Sequence, residues 1–275
     1  AHERYSMDPL GGVLIRSPKS MLGSRLTPAQ TEIYTQVATL LLGRIKQGAE
    51  QKLGHQVERV LIGRPIHFQG IDLALGDERA LAILNQAASR VGFKEVDFAY
   101  EPVAAAIEYE RHLTQEQLVL VVDIGGGTTG ITVIALAGIV CDQSIRIAGD
   151  EFTADIMEAL RRYHSLLIGE RTAEQIKIQI GAAMKDLDNP PDDIPVNGRD
   201  LVTGIPKQIM VSYQEIAEAL DKSIFKIEEA ILKALETTPP ELAADIYRRG
   251  LYLTGGGALL RGLDKRLSSK IKLPV

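Results

Sequence analysis

"VLVVDIGGGTTGITVIAL" (Val119–Leu136) and "GLYLTGGGALLRGL" (Gly250–Leu263) each set three consecutive glycines directly after a short apolar run that reads as a buried strand. After the first glycines the chain returns as a second strand, "GITVIAL", and not as a helix. That order excludes both a dinucleotide-binding turn and a Walker-type phosphate loop, which need a helix at once. Gly125, Gly126 and Gly127 therefore sit at a hairpin tip, where missing Cβ atoms open backbone N–H groups to close approach. Thr128 and Thr129 add hydroxyls and Asp123 adds a carboxylate at the strand end. Backbone donors suit phosphate oxygens, and an aspartate beside them suits the water shell of a magnesium ion. A turn that merely tolerates glycine needs one or two of them, not three. The second run, Gly255, Gly256 and Gly257, reads as strand, glycines, then helix, a place where a polar ligand can lie against the backbone.

Working outward, the segments before Leu118 alternate. "TPAQTEIYTQVATLLLGRIKQGAEQKLG" reads as a helix with Thr27 and Pro28 at its start, Gly54 at its stop, and Ile33, Val37, Leu41, Ile45 and Leu53 on its inward face. "VERVLIG" and "EVDFAY" read as strands. Between them "DERALAILNQAASRVG" reads as a helix with Asp77 as N-cap and Gly92 as terminal glycine. "EPVAAAIEYERHL" follows as a helix. This alternation predicts α/β architecture with parallel strands.

From Leu118, "LVLVVDI", "GITVIAL" and "IVCDQSIRIAG" predict an antiparallel meander. Helices resume at "DEFTADIMEALRRYH" and at "TAEQIKIQIGAAM", where Thr172 and Gln175 have capping-box spacing. A segment rich in Pro, Asp and Gly, about 185–212, reads as an inserted flap. "YQEIAEALDKSIFKIEEAILKAL" then forms a helix capped by Ser212 and Glu215, with Ile216, Leu220, Ile224, Ile227 and Ile231 inward.

The 275 residues suit roughly two domains. A net charge of −5 argues against a dedicated nucleic-acid binder. The single cysteine, Cys141, fits a reducing cytoplasm, and the five histidines show no metal-ligand spacing. No apolar run reaches the length of a bilayer span, and "AHERYSMDPL" lacks the pattern of a signal peptide. Glu101, at a strand-to-helix junction, reads on its own as a helix-dipole partner, and Lys19 in "SPKS" as an exposed base. Glu174 and Lys177 read as a solvated ion pair on one helix face.

Taken together, these motifs resemble the actin-like ATPase superfamily of actin, sugar kinases, heat-shock chaperone ATPases and bacterial MreB. "DIGGGTT" is similar to the second phosphate loop, "LTGGGALLRGL" to the adenosine loop, and "EPVAAAIEYE" to the connecting helix. Residues 119–275 resemble MreB throughout, in "SIRIAGDEF", "LIGERTAEQIKIQIG" and "TPPELAADIYRRGLYLTGGGALLRGLD". Residues 1–118, with "IRSPKSMLG", "VLIGRPIHFQG" and "VGFKEVDFAYEPVAAAIEYE", are similar to YegD-type chaperone relatives. A chimera with its seam near "VVDIGGGTT" is the corresponding expectation.

The resemblance implies two lobes of ribonuclease H-like mixed sheets flanked by helices, around a nucleotide cleft. Residues 1–118, with the connecting helix 101–112, form a partial first lobe, and 119–275 the second. It implies ATP or ADP with Mg²⁺ as ligands. Glu101 would orient the attacking water and Asp123 would act through hydrated Mg²⁺. Gly125 to Thr128 would hold the β- and γ-phosphates, with Thr129 and Gly149 beside them. Glu174 and Lys177 would meet ribose and adenine, and Gly255 to Ala258 the adenosine side. A "DxGT"-like first phosphate loop and the last strand and helix are expected to be missing, which would weaken binding or hydrolysis. The leading function implied is an MreB-like filament ATPase of rod cell shape, self-associating in the cytoplasm, with the inner membrane surface a further option and no nucleic acid. The alternatives are a YegD-type chaperone ATPase and a recombined fold with little activity; no sugar-binding signature supports a kinase.

Overall fold

The computed structural model describes residues 18–68, 73–110, 119–135 and 138–275. The last part of the expected connecting helix, residues 111 and 112, lies outside them. The chain divides into two compact units, Ala1–Glu101 and Pro102–Val275. Among the described residues no helix is long and apolar enough to cross a membrane.

In the first unit a helical turn α1 (Pro18–Met21) precedes α2 (Pro28–Leu53), β1 (Arg59–Arg64), α3 (Leu73–Val91) and β2 (Glu95–Tyr100). The two strands pair in parallel, Arg59 against Glu95 through Arg64 against Tyr100, as the strand–helix–strand order requires. Helix α2 starts and stops where its sequence says. Thr27 and Gln30 form a reciprocal capping box, and Gly54 takes the left-handed conformation with φ 73° and donates to Glu50 O.

Its buried face differs from expectation. Ile33, Leu41, Ile45 and Leu53 are between 42% and 67% exposed, and Thr35 is the buried residue of the helix. The physical reason lies in the threonines. Thr35 Oγ1 donates to Thr31 O at 2.9 Å and Thr39 Oγ1 to Thr35 O at 2.7 Å, so this stripe satisfies its own hydroxyls and can be covered. Polar contacts complete the union with α3. Arg90 grips Glu32 with two bonds of 2.7 and 2.8 Å, and Lys46 Nζ donates to Gly92 O at 2.9 Å. Leu22, Phe68, Ala80 and Ile83 form a small core, beside an apolar cavity of about 170 Å³ that Tyr34, Val37 and Leu41 help to line. Asp77 is also not an N-cap. It lies inside α3, and its carboxylate accepts from the Phe68 N–H at 2.7 Å and pairs with Arg64.

The second unit begins with the rest of α4 (Glu101–Glu110). It continues through β3 (Val119–Ile124), β4 (Thr129–Ala135), β5 (Gly138–Ile145), α5 (Gly149–His164), β6 (Leu166–Leu167) and α6 (Glu170–Ile180). Then come β7 (Ile194–Asp200), β8 (Pro206–Val211), α7 (Tyr213–Glu236), α8 (Pro240–Arg249), β9 (Leu251–Thr254) and α9 (Leu263–Ile271). The main sheet has the order β5-β4-β3-β9, with the expected meander antiparallel and β9 parallel to β3. Strand β3 is covered on both faces. Leu120, Val122 and Ile124 enter the main core, while Val119 and Val121 join a second cluster with Val103 and Ala105 of α4.

Helix α7 matches its sequence pattern fully. Ser212 and Glu215 make the capping box, and Ile216, Leu220, Ile224, Ile227 and Ile231 are completely buried. The flap is a hairpin, β7 against β8, with β6 on its edge. Helix α6 starts at Glu170 with Gly169 as cap, so Thr172 and Gln175 form no capping box. After the second glycine run the chain makes only a 3-10 turn, Gly256–Leu259, and helix α9 waits until Leu263, because Gly262 turns the backbone at φ 71°. Arg266 of α9 binds the buried Glu228 at 2.6 Å, Asp221 at 2.8 Å and Ala183 O at 2.9 Å, which ties the end of the chain onto α7.

The two helices should answer truncation differently. In urea denaturation, Leu220→Ala should cost about 2–5 kcal/mol through the cavity it leaves. Ile45→Ala, on the exposed side of α2, should cost under about 0.5 kcal/mol. Equal losses would show that the apolar face of α2 is packed after all.

Candidate functional site

Because β3 and β9 are parallel neighbours with Asp123 opposite Thr254, both glycine runs leave the sheet at the same edge. The first closes a four-residue hairpin loop, with Ile124 opposite Thr129 and the Gly125 N–H donating to Thr128 O at 3.0 Å. Its carbonyls turn toward α5. Gly125 O accepts from the Gly149 N–H at 3.1 Å, and Gly126 O from the Asp150 N–H at 2.7 Å. Among the described residues the N–H groups of Gly126, Gly127 and Thr128 donate to no backbone carbonyl. The loop thus satisfies the first N–H groups of α5 with its oxygens and turns its own donors elsewhere.

The second run is glycine for a steric reason. At Gly255, with φ 84°, a Cβ would come 2.4 Å from Asp123 Oδ1 and 2.4 Å from Ile124 O. At Gly257 it would come 2.2 Å from Ile124 Cγ2. The two loops therefore press together, with the Asp123 carboxylate beside Gly255. Gly256 is different, since a Cβ there would meet nothing within 4 Å. The first and third glycines let the loops close, and the middle one faces open space.

A polar cluster anchors the other side. Lys177 Nζ donates to Gly149 O at 2.8 Å and to Thr153 Oγ1 at 3.0 Å, and pairs with Glu174 at 2.7 Å. The Thr153 hydroxyl also lies 2.8 Å from Glu174 Oε2. Glu174 and Lys177 are thus more than a solvated pair: they join α6 to the start of α5 just behind the first glycine loop. Glu174 stays about half-exposed while Lys177 is largely covered.

Of the residues singled out from the sequence, Asp123, Gly125, Gly126, Gly127, Thr128, Gly149, Glu174, Lys177, Gly255, Gly256, Gly257 and Ala258 belong to this one end of the second unit. Thr129 is corrected. It is fully buried and its hydroxyl donates to Ile147 O at 2.6 Å, so its side chain holds the β5–α5 connection. Glu101 closes the first unit, where its carboxylate forms an ion pair with Lys19 and packs beside Gly63. The contact explains both residues without reference to a helix dipole. Thr153 was not legible: a threonine inside a helix carries no sign of a contact made 21 residues further along.

Among the described residues no group of three or more His, Cys, Asp or Glu converges as a metal cage. The Asp123 carboxylate beside the first glycine loop is an oxygen donor of the kind that a hydrated magnesium ion accepts.

Comparison with known proteins places these features in a family. The family described as "MreB/Mbl protein" matches residues 31–275. Cell shape-determining protein Mbl of Bacillus subtilis (strain 168) is 46% identical over 192 residues, 70% of this chain and 57% of that protein. Cell shape-determining protein MreB of Escherichia coli (strain K12) is 45% identical over 234 residues, 84% of this chain and 64% of that protein. The chain therefore spans somewhat under two thirds of the length of these relatives. Among solved structures, MreB5 of Spiroplasma citri bound to ADP superposes with a TM-score of 0.76 at 34% identity, covering 87% of this chain and 69% of that one. The same protein bound to AMPPNP gives 0.70 at 35% identity, covering 78% and 62%. The match from residue 31 crosses residue 118, and nothing in these comparisons supports a chaperone-like origin for the residues before it or a chimeric seam. The fold is that of the actin-like ATPases, and the chain belongs to the MreB/Mbl family.

Proposed function

We propose that this chain carries the adenine-nucleotide site of an MreB-like ATPase whose self-assembly supports rod cell shape in the cytoplasm. The observation that carries the reading is the pairing of two glycine loops across one strand register, with Asp123 between them. Gly126, Gly127 and Thr128 offer N–H groups to the phosphates, and the open side of Gly256 offers a surface for the adenosine end. The relatives' printed names support the cell-shape role, and the ADP- and AMPPNP-bound neighbours support the ligand.

Phosphoryl transfer to water asks the protein mainly to position groups and to stabilise charge. When bound, Mg²⁺ would neutralise charge on the β- and γ-phosphates. Asp123 would hold its water shell, and the loop amides would orient the phosphates. Lys177 keeps Gly149, and through it the phosphate loop, in place. Glu101 retains the role that the resemblance gives it, a carboxylate that orients the attacking water. Lys19 is then the charge that pairs with this carboxylate and aims it.

Two experiments test this reading. Calorimetric titration with Mg-ATP should show binding that Gly256→Val weakens at least tenfold, about 1.4 kcal/mol. The unfolding midpoint of the ligand-free variant should not move, because the new side chain meets only open space. Unchanged affinity would contradict the assignment of this loop. Glu101→Gln should leave nucleotide affinity alone and lower the hydrolysis rate about 10²-fold or more. A variant that hydrolyses at the original rate removes Glu101 from the chemistry.

A further inference from the structure

The last rung of the β1–β2 pair sets Arg64 opposite Tyr100, and the residue after Tyr100 is Glu101. Among the described residues this sheet has two strands, a size that is marginal in water without further support. Strand ends with few buried apolar contacts are the first parts of a fold to open. Glu101 therefore follows the part of β2 where backbone order is hardest to keep.

Arg64 is placed to keep it. Its side chain is only 11% exposed, and every side of the guanidinium is used. Nε donates to Pro65 O at 3.0 Å and Nη2 to Ile66 O at 2.9 Å, which ties down the turn that leaves β1. Nη2 also meets Asp77 Oδ2 at 3.1 Å. The guanidinium carbon lies 5.2 Å from the centre of the Tyr100 ring and 5.5 Å from that of Phe68, both within cation–π range. Asp77 is held in turn, since its carboxylate accepts from the Phe68 N–H and meets His67 Nδ1 at 2.9 Å. A chain of contacts thus runs from α3, through Asp77 and Arg64, to the ring that precedes Glu101.

The Glu101 side chain is confined from the same strand. A Cβ on Gly63, the residue before Arg64, would come 3.1 Å from Glu101 Cγ and 3.4 Å from Oε1. Lys19 pairs with the carboxylate and so fixes its charged end, but that contact does not fix the backbone beneath it. Neutralising Asp77 alone would need a positive charge and neither a fork nor a stack. Only a planar guanidinium can grip two carbonyls and a carboxylate and lie against a ring at once, whereas an ammonium is a point charge.

We propose that Arg64 is a positioning residue for Glu101, holding the end of β2 through Tyr100 and the Pro65–Ile66 turn so that the carboxylate keeps one orientation. This rests on the reading of Glu101 given above and deepens it. The test measures kcat for Mg-ATP hydrolysis and calorimetric Mg-ATP affinity in the full chain and in four variants: Arg64→Lys, Tyr100→Leu, Glu101→Gln and the double variant Arg64→Lys/Glu101→Gln. Arg64→Lys keeps a charge opposite Asp77 and should lower kcat at least about tenfold with affinity unchanged. Tyr100→Leu leaves the Arg64–Asp77 pair in place and removes the ring alone, so it should show the same split even where Arg64→Lys folds poorly. The double variant should hydrolyse no more slowly than Glu101→Gln, because residues that act as one unit are not additive. If Glu101→Gln slows hydrolysis while Arg64→Lys and Tyr100→Leu keep the wild-type kcat, the positioning proposal is overturned and the Glu101 reading stands. Additive losses in the double variant, or kcat and affinity falling together in both Arg64→Lys and Tyr100→Leu, overturn it as well, since Arg64 then acts elsewhere or only supports the unit. If Glu101→Gln hydrolyses at the wild-type rate, or the wild-type chain hydrolyses nothing, the Glu101 reading falls and this proposal falls with it.

Discussion

The pairing of β3 with β9 is the constraint on which the rest of the second unit depends. Residues 123 and 254 are far apart in sequence, and only this parallel register sets them side by side. Everything at the candidate site follows from it. Ile124 supplies the surface against which Gly255 and Gly257 must be glycine, and the first loop then reaches back to hold the start of α5. The strand can bear this because it is buried on both faces, with alternate residues anchored in two separate clusters. Its one residue that is not fully buried is Asp123, at the end where the chemistry is proposed.

The two units hold together by different means. The second has a broad aliphatic core that α7 dominates, closed by Arg266 on the buried Glu228. Breaking such a pair from one side leaves an uncompensated charge, so α9 is fixed more firmly than its length suggests. The first unit relies on a polar seam. The threonine stripe of α2, the Arg90–Glu32 fork and the Lys46 cap on the end of α3 do there what isoleucines do in α7.

That contrast explains what could be read in advance. Patterns that are local in sequence were legible: the N-cap at Thr27, the capping box at Ser212, the stop at Gly54, the meander, and the isoleucine face of α7. Where a residue's role depends on a partner far along the chain, local pattern failed. Hydrophobic period marks the apolar stripe of α2 as its inner face, because period cannot show that Thr35 satisfies its own hydroxyl and can be buried instead. Thr129 looked like a phosphate donor because nothing near it announces Ile147 O as its acceptor. Glu174 and Lys177 looked like a surface pair because Thr153 and Gly149 lie on another helix. Among the site residues, the glycines themselves were the clearest signal, since tripled glycine after a buried strand has few structural uses.

The most direct measurement is an amide NMR titration of the chain with Mg-ADP, following Gly126, Gly127, Gly256 and Gly257. If the two loops form one cradle, the resonances of both runs shift together and fit a single dissociation constant. Movement confined to one run, or two unequal constants, would contradict the account, because the β3–β9 register would then be positioning two loops that share no ligand.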